Sequence, residues 1–343
     1  LSGGPSEIFA LRAFISGCEG LQLTDREKGF FREMRPCGLI LFRRNCADAD
    51  QIRRLIAGFR DAVGDDRTFV LIDQEGGRVQ RLGPPNWRRY PSGRYFSNIY
   101  CADVGKGQEA ARLGAMLIAR DLCALGITVN CAPVLDMPVP GAHDIIGDRA
   151  YGQTPAQVCA LGRAVAEGYL DGGVLPVIKH MPGHGRARVD SHASLPVIEC
   201  SRDELSATDF APFRALRDMP LGMTAHILIP AIDPDRPSSA SPLIIDEIIR
   251  RDIGFDGLLM CDDLGMGALS GTMAERTRGV LDAGCDIALH CSGDFTEMEA
   301  VAALAPELCG EAARRFEAAY ARLGPAQPFD EARAEAMMAG MLA

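Results

Sequence analysis

Apolar and polar positions follow two rhythms along this chain. Compact apolar runs occur at 11–16, 38–42, 69–73, 128–133, 175–179, 222–226, 257–262 and 286–290. Runs of this kind suit parallel strands buried on both faces. Between them lie longer segments whose apolar residues recur with helical spacing. In 50–63, Ile52, Leu55, Ile56 and Phe59 fall at i, i+3, i+4 and i+7 and make one stripe along a helix. Segments 110–125, 155–170 and 242–253 read the same way. Eight alternating strand–helix units predict an α/β fold, a TIM-like (β/α)8 barrel, rather than an open sheet. An open doubly wound sheet would more often carry a G-x-G-x-x-G loop after its first strand, and here that strand runs into Gly17-Cys18-Glu19-Gly20. The Ala- and Glu-rich tail, 300–343, reads as peripheral helices. No repeat, linker or composition break divides the chain, so 1–343 reads as one domain.

A barrel places its chemistry at the C-terminal ends of its strands. The third run ends in Asp73, the fifth in Lys179-His180, the sixth in His226, the seventh in Asp262-Asp263 and the eighth in His290. Ionisable residues finishing apolar strands are costly to bury. Their recurrence at one rim points to an active site.

Composition narrows the function classes. Of 343 residues, 36 are Lys or Arg and 46 Asp or Glu, a net charge of −10 without a basic stripe, which argues against nucleic acid as a partner. No window approaches the roughly 18 apolar residues of a membrane span. The 12 cysteines include no C-x-x-C pair, so neither a zinc ribbon nor a thioredoxin-like site is indicated. The N-terminus lacks the basic start and apolar stretch of a secretory leader, which makes the cytoplasm the expected location. Oligomeric state is not encoded in any of these features.

Four segments concentrate the chemistry. In 177–192, three of the six histidines (His180, His184 and His192) accompany Lys179 and Asp190, and Pro182, Gly183 and Gly185 make the stretch a loop. Asp190 and His192 are close enough to hydrogen-bond, and a carboxylate on one imidazole nitrogen leaves the other for proton transfer. In Met260-Cys261-Asp262-Asp263-Leu264, strand alternation puts Asp262 on the face of Leu258 and Met260, toward the mouth. Asp263 falls on the other face and is expected to cap the following helix. In 72–82, Asp73 supplies acceptors and Arg81 a fork of donors suited to sugar hydroxyls, while Glu75 and Arg78 could pair structurally. Arg149 lies in the long loop after the fourth strand. His180 and His184 are four apart, but Pro182 and Gly183 exclude the helical H-x-x-x-H geometry of a zinc protease, and no metal or other cofactor is expected.

Taken together, these motifs resemble glycoside hydrolase family 3, in its subgroup of single-domain bacterial β-N-acetylglucosaminidases of peptidoglycan recycling. The resemblance is carried by Asp73-Gln-Glu-Gly-Gly-Arg-Val-Gln-Arg81, Asn130-Cys-Ala-Pro-Val-Leu-Asp136, Lys179-His-Met-Pro-Gly-His-Gly185, Asp190-Ser-His192 and Cys261-Asp-Asp-Leu264. It implies a retaining exo-β-N-acetylhexosaminidase acting on muropeptides, GlcNAc linked β-1,4 to anhydro-N-acetylmuramic acid. Asp262 would be the nucleophile and His192, oriented by Asp190, the acid/base, where the general scheme has a second carboxylate. Asp73, Arg81, Arg149, Lys179 and His180 match positions that contact the terminal GlcNAc, and the loop carrying Asp190 and His192 matches one that moves. Gln74, Gly265 and Arg186 depart from the residues common in the family. Other readings are a β-glucosidase or phosphorylase of the same family, a metal-dependent hydrolase, and a non-catalytic sugar sensor.

Overall fold

The computed structural model describes residues 10–339. The N-terminal residues read above for a leader, and 340–343 of the tail, lie outside the described residues. Eight parallel strands form the sheet: β1 Arg12–Ser16, β2 Pro36–Leu41, β3 Phe69–Ile72, β6 Val129–Asn130, β7 Leu175–Met181, β8 Leu221–Thr224, β9 Leu258–Met260 and β10 Ala288–His290. Their order is β10-β1-β2-β3-β6-β7-β8-β9, and a parallel bridge between Met260 and Ile287 brings the two edges together. The fold is a (β/α)8 barrel. A small antiparallel hairpin, β4 Gln74–Gly76 and β5 Val79–Gln80, rises from the end of β3.

Each barrel strand coincides with one of the eight apolar runs, though the ends differ. The fourth run shrinks from 128–133 to Val129–Asn130 because Pro133 has no N–H to give to a ladder. Pairing continues irregularly there, with Lys179 N–H donating to the Pro133 carbonyl (3.2 Å) and Leu135 N–H to the Lys179 carbonyl (2.7 Å). The fifth strand runs on through His180 to Met181, and its register against β8 shifts between Ile178 and Met181. An irregularity of this kind re-aims side chains, and the consecutive residues Lys179 and His180 both border the barrel mouth.

Helices cover the barrel. In Ala49–Val63 the stripe Ile52, Leu55, Ile56 and Phe59 is buried, and the Asp48 carboxylate caps the helix by accepting from Gln51 N–H at 2.8 Å. Val104–Cys123 and Pro155–Asp171 pack side by side. The segment expected as a helix at 242–253 forms instead a π-helix at Ile244–Asp252, burying Ile244, Ile245, Ile248 and Ile249. Phe295–Leu304 is the helix that follows β10, so the peripheral tail begins after it, with Gly310–Tyr320 and Glu331–Ala339. Phe316 of the former meets Phe69 with ring centroids 4.7 Å apart, and the latter lies on Val104–Cys123. Among the described residues no helix is long and apolar enough to cross a membrane.

Candidate active site

A cavity of about 360 Å3 opens at the C-terminal mouth of the barrel, lined in part by Asp73, Glu75, Arg81, Arg149, Lys179, His180, His184, Ser191, His192 and Asp262. One wall is a chain of ions. Asp73 accepts from Lys179 Nζ at 2.8 Å and from Arg81 Nη2 at 3.0 Å. Lys179 Nζ also meets Glu75 Oε1 at 2.7 Å. Arg149 then grips Glu75 with Nε and Nη2, both at 2.9 Å, and gives Nη1 to the Ile145 carbonyl. Burial alone would raise both carboxyl pKa values. Lys179 and Arg81 outweigh it at Asp73 and hold that group far below the usual range. Arg149 and Lys179 do the same at Glu75, which is drawn down to about 2.

The pairing of Glu75 with Arg78 allowed by their spacing does not form. Arg78 turns outward to Asp144 (2.8 Å) and Asp148 (3.1 Å), because the buried Arg149 and Lys179 already enclose Glu75. Arg149 spends three of its five N–H donors on Glu75 and Ile145, and the other two have no partner among the described residues. The hairpin that carries these acids is fastened by Asn130, whose side chain accepts from Gln74 N–H and donates to the Gln74 carbonyl, both at 2.9 Å. Gln74 in turn takes the Arg81 and Leu82 N–H groups at 2.9 and 3.0 Å.

Asp262 stands beyond the end of β9, and the single hydrogen bond to its carboxylate among the described residues comes from the Asp263 N–H at 2.8 Å. Burial would raise its pKa, but His180, His226 and that N–H prevail and hold it below the ordinary carboxylate value. The group is thus an ionised carboxylate with one oxygen unengaged. Asp263 does not cap a helix. A turn follows it, and its carboxylate ties that turn to the end of β10, accepting from Gly265 N–H (3.1 Å) and Cys291 N–H (3.0 Å). The next helix, Met273–Asp282, is capped by Thr272.

Asp190 Oδ1 accepts both the N–H and Nδ1–H of His192, each at 2.8 Å, and Nε2 has no partner among the described residues. The His192 side chain is 66% exposed and borders the cavity. His226 and His290 lie off the cavity. His226 is buried between Ser239 Oγ (2.6 Å) and the Asp263 carbonyl (3.1 Å), and His290 bonds Glu297 at 2.9 Å.

Two contributors have no role assigned by sequence reasoning. Asp136 binds His180 Nδ1 at 2.6 Å through one oxygen, and its other oxygen accepts the His184 N–H at 2.6 Å. It is an acid just past the apolar run 128–133, the same signal that singled out Asp73 and Asp262. His184 is the other, buried with Nε2 against Ser191 Oγ at 3.0 Å. Among the described residues no three His, Cys, Asp or Glu side chains cluster as a metal site.

A model of the glycosyl hydrolase family 3 N-terminal domain matches residues 19–324. A β-hexosaminidase of Aromatoleum aromaticum is 33% identical over 329 residues, 95% of this chain and 92% of that protein. The fold superposes on native NagZ from Neisseria gonorrhoeae with a TM-score of 0.87 at 32% identity, covering 98% of this chain and 99% of that one. NagZ in complex with N-trifluoroacetyl-D-glucosamine gives a TM-score of 0.84 at 31% identity, over 98% and 95% of the two chains.

Proposed function

The chain belongs to glycosyl hydrolase family 3, and from that premise we propose that it is a one-domain, cytoplasmic β-hexosaminidase. It removes terminal non-reducing GlcNAc from muropeptides with retention of anomeric configuration. One observation carries the mechanism: an ionised Asp262 with a free oxygen and a His192 with a free Nε2 border the same cavity. In the first step Asp262 attacks the anomeric carbon, the bond to the leaving oxygen breaks, and His192 Nε2 donates its proton to that oxygen. In the second, Nε2 takes a proton from water, which attacks the glycosyl ester and frees Asp262. Asp190 orients the ring through Nδ1, which leaves Nε2 to carry the proton in both steps. Asp73, Arg81, Arg149, Lys179 and His180 bind the terminal sugar, offering one carboxylate and several donors to hydroxyls and an amide.

The test is release of 4-nitrophenol from its β-GlcNAc glycoside beside the β-glucoside, with EDTA and with inorganic phosphate as separate additions. Cleavage of the GlcNAc compound alone, unchanged by either addition, is expected. Asp262→Ala should lower turnover by about 10⁴-fold or more without unfolding the protein. Retained activity in that variant would remove Asp262 from the nucleophile's role.

A further inference from the structure

The tip of the loop bearing Asp190 and His192 is exposed on both sides of one residue. Val189 is 40% exposed and the His192 side chain 66%, while Ser191 between them is 3% exposed. Ser191 is therefore the point at which the tip enters the protein, and it does so onto a fixed ring. His184 is buried, its backbone N–H is held by Asp136, its Nε2 meets Ser191 Oγ at 3.0 Å, and its Nδ1 has no partner among the described residues. Two backbone bonds complete the seat. Ala268 N–H donates to the Ser191 carbonyl (3.1 Å) and Gly267 N–H to the His192 carbonyl (3.0 Å). Both donors belong to the turn that follows Asp262 and Asp263.

We propose that Ser191, docked on His184 and on the Gly267–Ala268 N–H groups, is the latch that positions His192 over the cavity. The proposal rests on the reading of His192 as acid/base. These are positioning residues, acting through His192. The tip is a compact turn, since Ala193 and Ser194 both donate to the Asp190 carbonyl at 3.0 Å, so fixing Ser191 fixes its neighbour. The His192 ring is bound by Asp190 and otherwise mostly exposed, so its height over the cavity is set by these backbone anchors. Proton transfer requires hydrogen-bond reach, and a misplacement of about 1 Å can cost about 10²-fold. Gly267 belongs to the device because a Cβ there would lie 2.8 Å from the His192 carbonyl oxygen and 2.9 Å from that of Ala193. Any side chain at 267 lifts the tip. The turn that carries the nucleophile thus also sets the height of the acid.

The experiment compares Ser191→Ala, Gly267→Ala and His192→Ala in the full chain. It reads kcat/KM on a GlcNAc disaccharide, whose leaving group needs a proton, and on the 4-nitrophenyl glycoside, whose leaving group does not. Both latch variants should lose about tenfold or more on the disaccharide and less than about threefold on the aryl glycoside, which also reports that the barrel is folded. Equal losses on the two substrates, or no loss on the disaccharide, would overturn the latch while His192→Ala still shows the split. If His192→Ala itself loses equally on both, the acid/base assignment fails and the latch falls with it.

Discussion

Glu75 lies between Lys179 and Arg149, and all three side chains are nearly dry, at 6%, 3% and 9% exposure. Replacing it with Gln keeps the shape and removes the charge that neutralises two buried cations. Breaking a buried pair in this way costs about 3–5 kcal/mol, so Glu75→Gln should lower unfolding free energy by that order, as measured by urea denaturation. A loss below about 1 kcal/mol would mean that water reaches the pair. The importance of Glu75 was not legible in its neighbourhood. Spacing suggested Arg78, three residues on, whereas the real partners are 74 and 104 residues away and reach Glu75 only because the barrel closes. The Asp190–His192 bond, by contrast, is made within one turn, and a local pattern was enough to read it.

At the scale of elements, the eight barrel strands were legible because a strand buried on both faces must be an unbroken apolar run. Their ends were not, since Pro133 and the register shift in β7 depend on neighbouring strands. The hairpin β4–β5 has no apolar run to mark it, because the pairing that makes it is short and its fastening comes from Asn130 on another strand. That fastening makes a prediction about binding. Asn130→Ala leaves the buried Gln74 N–H without its side-chain acceptor and the Gln74 carbonyl without that donor, at about 1–3 kcal/mol for each unsatisfied group. Asp73 and Glu75 flank Gln74, so the loosened hairpin should raise KM for the GlcNAc glycoside more than it lowers kcat. An unchanged KM beside lost stability would show that the sugar does not touch this wall.

For the whole molecule, the buried titratable groups at the mouth set a direction for acid stability. Asp73, Glu75, Asp136 and Asp262 all have pKa values below their ordinary range when folded, with Glu75 near 2. Unfolded carboxyls take up protons near about 3.9–4.3, so the unfolded chain binds more protons below that range and stability falls as pH drops from about 4.5 toward 2. His184 acts earlier and in the same direction. Burial lowers its imidazole from 6.5 to about 4, a fall only partly opposed by Asp136, so in the unfolded chain the ring is protonated at pH values where the folded ring stays neutral. Its contribution is therefore intact above pH 6.5 and declines as pH falls from 6.5 to 4. His226, also lowered by burial, acts in the same direction. Stability measured by urea unfolding from pH 8 to 3 should thus decline in two stages rather than at the carboxylate stage alone. His184→Gln should flatten the upper stage, reducing its slope without abolishing it, and leave the lower one in place. A wild-type curve that is level between pH 6.5 and 4.5 would mean that His184 takes its proton inside the fold, with Asp136 as the counter-charge and Ser191 as the group it then donates to.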